Sequence, residues 1–139
     1  MSGKGQDRST RRLDVSLSAI EAAATELAGG GLVAFPTETV YGLGGDACNA
    51  DAVAAIFAAK DRPAFNPLIS HVDSAANAFA LGVATPAARA LSARFWPGPM
   101  TLILTRQPDC PIARLTSAGL DRIALRVPAS ETARRLLSA

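Results

Sequence analysis

Helix-like and strand-like segments alternate irregularly along this chain, and most are closed by a glycine or a proline. That punctuation restricts the fold most, because proline cannot donate to a sheet ladder and glycine gives a helix its left-handed exit. Leu17, Ile20, Ala24 and Leu27 fall at helical spacing, Ser18 and Glu21 have the spacing of a capping box, and Gly29, Gly30 and Gly31 end the pattern. Leu32 to Phe35 reads as a strand closed by Pro36, and a polar loop runs from Thr37 to Asn49. Asn49 or Asp51 can cap a second helix with Val53, Ile56 and Phe57 on one face and Lys60 in its last turn, before Pro63 turns the chain out.

Leu68 to Val72 alternates as a strand, with Ile69 and His71 facing away from Leu68, Ser70 and Val72. A short helix over 74–81 stops at Gly82, and Thr85-Pro86 starts another that runs to about Phe95. Met100 to Thr105 and Arg122 to Val127 are two further strands, the second with Ala124 and Arg126 opposite Ile123, Leu125 and Val127. Ser130 and Glu131 open a last helix that buries Ala133, Leu136 and Leu137. Strands mixed irregularly with helices predict an α/β (α+β) domain with a twisted mixed sheet flanked by helices.

The 139 residues suit one domain with a real core, expected over 14–139 behind a flexible basic leader over 1–13 that contains Lys4, Arg8, Arg11 and Arg12. With 49% hydrophobic and 19% charged residues and a mean hydropathy of +0.21, the chain is not of a disordered type. No apolar run reaches the roughly 20 residues needed to cross a bilayer, and the expected setting is cytoplasmic, with no membrane partner. Fourteen basic against twelve acidic residues give a net charge of +2, which excludes a bulk-charge argument for nucleic-acid binding. Cys48, Cys110 and the single histidine, His71, have no metal-ligand spacing, so no protein metal site is expected.

Four segments carry the chemistry. The first, residues 36–45, follows a strand and is dense in hydroxyls and glycines, which suits close approach by a small polar ligand; an ordinary strand-exit turn has the same residues. It is no Walker loop, since no Gly-Lys-Ser or Gly-Lys-Thr follows. In the second, residues 60–71, Pro63 pushes Arg62 toward an extended conformation, so that Lys60 and Arg62, two apart, can converge on one anion beside the Asn66 amide. A solvated charged helix end is the alternative there, and a core-packed imidazole is the alternative for His71. The third, Phe95 to Leu104, reads as a rigid corner before a buried strand. The fourth, residues 116–128, sets Arg126 on an apolar strand, where it needs either a salt-bridge partner or a bound anion.

In this order and at this spacing, the segments resemble the YrdC-like family of L-threonylcarbamoyladenylate synthases. Its pattern reads Pro-Thr-Glu-Thr-x-Tyr-Gly-Leu, Lys-x-Arg-x-x-x-Asn-Pro-Leu, a following His, Trp-Pro-Gly-Pro-x-Thr and Arg-Val-Pro. The resemblance spans roughly Leu17 to Pro128 and implies a YrdC/RibB-like fold. It also implies a reaction: a carbamate formed from L-threonine and bicarbonate attacks the α-phosphate of ATP, giving threonylcarbamoyl-AMP and pyrophosphate for tRNA modification. By the same resemblance Lys60, Arg62, Asn66 and Thr116 would hold ATP. Thr39, His71 and Arg126 would hold threonine, Mg2+ would accompany the nucleotide, and a separate transferase complex would receive the product. Family members continue into a Ser-Ala-Asn segment absent from these residues. The expectation is therefore a fold and nucleotide site incomplete at the C-terminal side, with weak ATP binding and an unpaired sheet edge. Three other readings stay open: an RNA-binding, ribosome-maturation module, double-stranded RNA included; a carbamoyltransferase of the same fold acting without threonine; and an inactive fragment.

Overall fold

The computed structural model describes residues 9–139; residues 1–8, with Lys4 and Arg8 of the expected leader, lie outside the described residues. The first helix, α1 (Leu17–Ala28), starts from Ser16, not from the Ser18–Glu21 capping box that the sequence suggests. Asp14 sets that boundary by accepting both the N–H and the hydroxyl of Ser16, whose Oγ in turn accepts the Ala19 N–H at 3.3 Å. Ser16 thus leaves Ser18 inside the helix. At the other end Gly30 takes φ 88°, the left-handed exit that the glycine run provides.

Strand β1 (Val33–Phe35) pairs antiparallel with β2 (Gly42–Gly44), register Val33 to Gly44 and Phe35 to Gly42. The sequence reading leaves β2 inside a loop, because a Gly-Leu-Gly triplet has no strand propensity of its own. Packing explains it: a Cβ on Gly44 would come within 2.6 Å of the Phe35 ring, so glycine is what lets that ring lie across the hairpin. Helix α2 (Ala50–Lys60) is capped by Asn49, whose side chain accepts the N–H groups of Asp51 and Ala52, and it buries Val53, Ile56 and Phe57.

The second sheet has strand order β3-β5-β4. Strand β3 (Ile69–His71) runs parallel to β5 (Arg122–Arg126), and β4 (Leu102–Thr105) runs antiparallel to it. The expected alternation holds: Ile123, Leu125 and Val127 are buried, while Ala124 and Arg126 face the other way, in register with Ile69 and His71. Helices α3 (Ala75–Leu81) and α4 (Pro86–Phe95) begin at Ser74 and Thr85, each with its hydroxyl accepting a first-turn N–H. A core of Ala78, Ala88, Leu102, Leu104, Ile112, Ile123 and Leu125 joins them to the sheet. A 3-10 turn over Arg114–Ser117, unforeseen from sequence, leads into β5, and α5 (Glu131–Ser138) packs beside α1. No described helix is long and apolar enough to cross a membrane.

Candidate active site

The end of α2 places the two expected phosphate cations, though by a different route from the extended pair that the sequence suggests. Asp61 is left-handed at φ 50°, with its N–H on Ala58 O at 3.3 Å and the Arg62 N–H on Phe57 O at 2.9 Å. These two bonds close the helix and turn the chain between Lys60 and Arg62, so left-handed closure, not i to i+2 extension, sets where both side chains go. Both line a cleft of about 760 Å³ whose walls come from α1, α2, β2, β3 and α5. One Arg62 nitrogen, Nη2, donates to Pro67 O at 3.2 Å, whereas its Nε is buried without a partner. That orphan donor suits an anion in the cleft.

Thr116 reaches the same cleft from the 3-10 turn but is almost wholly buried; its hydroxyl donates to Ala47 O at 2.9 Å and its carbonyl accepts the Leu68 N–H. Its main work is to tie the segment after β2 to the start of β3. Asn66 sits in a turn closed by its N–H on Pro63 O at 3.1 Å, outside the cleft lining.

His71 ends β3 and lines the cleft, directly in register with Arg126 on β5. Burial and the Arg126 charge lower its pKa, while the Ile69 backbone and the Glu38 carboxylate pull the other way. The imidazole is therefore neutral near pH 7, able to donate from one nitrogen and accept at the other. Arg126 is half-buried with no carboxylate in contact; its Nε and Nη2 both donate to Thr101 Oγ1, at 3.0 and 2.8 Å. Of the two outcomes expected for this side chain, the salt bridge is not formed among the described residues, where the one ion pair joins Arg114 to Asp121 at the surface. A hydroxyl neutralises no charge, and Arg126 keeps capacity for an anion.

Thr39 is exposed in the turn after β1, its N–H on Thr37 Oγ1 at 3.2 Å, and neither it nor Arg126 belongs to the cleft lining. The structure thus gathers Lys60, Arg62, His71 and Thr116 at one cleft, with Arg126 against His71, while Thr39 and Asn66 stand on flanking turns. Three polar groups were not singled out from sequence: Thr101, the Arg126 acceptor; Ser70, a residue of the cleft wall whose buried Oγ has no partner; and Glu38, whose two buried carboxylate oxygens have no partner. Glu38 lies within the first polar segment, and its charge amid hydroxyls and glycines was the available signal.

The description that matches residues 25–139 is Sua5_yciO_yrdC, telomere recombination. Threonylcarbamoyl-AMP synthase of Pyrococcus abyssi is 50% identical over 109 residues, covering 78% of this chain and 32% of the relative. The enzyme of the same name from Bacillus subtilis is 52% identical over 98 residues, covering 70% and 28%. The crystal structure of P. abyssi Sua5 complexed with L-threonine superposes with a TM-score of 0.82 at 45% identity, covering 92% of this chain and 37% of that one. This chain therefore spans about a third of the length of these relatives. With the motifs, the mixed sheet and the match over most of its residues in agreement, the chain belongs to the Sua5/YciO/YrdC family.

Proposed function

We propose that this chain carries the phosphate- and amino-acid-binding elements of a threonylcarbamoyl-AMP synthase. One observation carries the reading: Lys60, Arg62 and His71 line a single cleft of about 760 Å³, within the size range of small-molecule sites. In the reaction, the carbamate of L-threonine attacks the α-phosphate of ATP, the bond to the β-phosphate breaks, and pyrophosphate leaves. Such a transfer needs charge neutralisation and alignment more than covalent help from the protein. Lys60 and the free Nε of Arg62 serve the phosphates, with Asn66 and Thr116 as flanking contacts. Neutral His71, Thr39 and Arg126 hold the amino acid, Arg126 taking its carboxylate or the carbamate.

Magnesium would arrive with the nucleotide. Among the described residues no group of three His, Cys, Asp or Glu side chains is placed to hold a metal ion, and the steps above run through none. A separate transferase would take the product to tRNA in the cytoplasm. An RNA-contact role, double-stranded RNA included, has only the basic leader to support it.

Pyrophosphate release from ATP, assayed with threonine and bicarbonate each omitted in turn, tests the reading. Dependence on both is expected, and Lys60→Ala and Arg62→Ala should each weaken ATP binding by about tenfold or more, the scale of one charge-assisted hydrogen bond. Release that ignores threonine would favour a carbamoyltransferase instead.

A further inference from the structure

The corner that opens the Phe95 to Leu104 segment reads from sequence as structure alone, yet it delivers the residue that holds Arg126. Trp96 is partly buried against the core, and its ring nitrogen Nε1 donates to Met100 O at 2.7 Å. The Gly98 N–H donates to Val127 O at 2.9 Å, and a Cβ on Gly98 would come within 2.6 Å of Phe95 O. The corner is thus closed tightly on itself and tied to the strand end next to Arg126. Leu102 pairs with Leu125 in the ladder between β4 and β5, which puts Thr101 opposite Arg126. There Thr101 Oγ1 accepts from Nε at 3.0 Å and from Nη2 at 2.8 Å. A guanidinium can offer a side edge, made by Nε and one Nη, or an end edge, made by both Nη nitrogens. Thr101 fills the side edge with a single oxygen. Of the five N–H donors of an arginine, three then remain, one on Nη2 and both on Nη1, and among the described residues none of these has an acceptor.

A planar pair of oxygens, as in a carboxylate or a carbamate, matches the two parallel donors of an end edge. We propose that Thr101 is a positioning residue for substrate binding: by occupying the side edge of Arg126, it fixes the guanidinium so that the end edge is the one offered to the anion. The inference rests on the functional reading above, in which Arg126 takes a carboxylate or the carbamate, and adds to it the residue that sets the geometry of that contact. It also gives the Trp-Pro-Gly-Pro corner a part in binding, since the corner decides where the Thr101 oxygen lies. A neutral acceptor suits the task, because an aspartate at this position would pair with Arg126 and cancel the charge that the anion needs. Without the hydroxyl, Arg126 keeps its charge but not its direction, and the ligand must then order the side chain as it binds.

The test is calorimetric titration with L-threonine and with L-threoninamide, whose carboxamide cannot accept both end-edge donors. The wild-type chain is expected to prefer threonine by about tenfold or more, and Thr101→Val to lose most of that preference, whereas Thr101→Ser, which keeps the oxygen, should stay within about twofold of wild type. Arg126→Lys keeps the charge without the edges and should lose the preference too, a result that needs no change at position 101. A merely structural role for Thr101 would weaken both ligands alike, and that outcome, or equal preference in wild type and Thr101→Val, would overturn the proposal while leaving Arg126 as the anion contact. Full preference retained in Arg126→Lys would likewise overturn it, by showing that charge without edge geometry suffices. Preference retained in Arg126→Met, or no threonine binding by the wild-type chain, would instead remove Arg126 from the functional reading, and the role of Thr101 with it.

Discussion

Thr101→Val removes one oxygen, and the structure fixes what depends on it. That oxygen accepts two donors of the half-buried Arg126 guanidinium, at 3.0 and 2.8 Å, and no carboxylate is in contact to replace it. Valine keeps the shape of threonine, so the packing change is small and the loss is that of a charge-assisted acceptor. A hydrogen bond to a charged group contributes about 1.5–3 kcal/mol, and partial solvation of Arg126 places the expected cost near the lower end, about 1.5–2 kcal/mol. For a chain of this size that lowers the melting temperature by roughly 4–8 °C. Urea denaturation of wild type, Thr101→Val, Arg126→Met and the double variant measures it as a cycle. With methionine at position 126 there is no guanidinium to satisfy, and Thr101→Val should then cost less than about 0.5 kcal/mol. An equal cost in both backgrounds would refute the view that Thr101 acts by holding Arg126.

His71 is the single histidine in the chain, so its imidazole titration can be followed by NMR without ambiguity. Its pKa should lie below the ordinary histidine value and move upward in Arg126→Met, which removes the second of the two causes that lower it. Because the folded value is the depressed one, the unfolded chain takes up the proton first. The His71 contribution to stability is thus present above about pH 6.5 and is lost as pH falls toward the folded value, a slope that His71→Gln should remove from the urea midpoint. At Gly82, an added Cβ would come within 2.9 Å of Leu104 Cβ and 3.1 Å of Leu125 Cδ1, so Gly82→Ala should cost about 1–3 kcal/mol by overpacking, read from the same denaturation assay.

Much of the fold was legible because its signals are local. Asn49, Ser74, Thr85 and Ser130 cap the helices that the sequence assigns to them, and the alternation in residues 122–127 separates the core face from Arg126. What escaped depends on contacts distant in sequence. Strand β2 exists because Gly44 lies under Phe35, and the 3-10 turn is anchored by Thr116 Oγ1 on Ala47 O, 69 residues away. The start of α1 moved to Ser16 because Asp14 outcompeted the capping box.

The candidate site divides the same way. Lys60, Arg62 and His71 were nameable from motif spacing, yet the left-handed Asp61 that turns the cations is not fixed by residue type, since aspartate tolerates that backbone better than most residues but adopts it only in a minority of cases. Arg126 was recognisable as a cation needing a partner, but the partner, Thr101, lies 25 residues away on the approach to a neighbouring strand. Glu38 was in view as part of a motif, and only the burial of both its oxygens separates it from an ordinary surface glutamate.

The account depends on nucleotide phosphates and amino acid occupying one cleft, and the lone imidazole reports on that directly. Titrating the chain with paramagnetic manganese–ATP should broaden the His71 ring resonances, and adding L-threonine should shift them. ATP binding that leaves those resonances unbroadened, or threonine binding that leaves them unshifted, would contradict it.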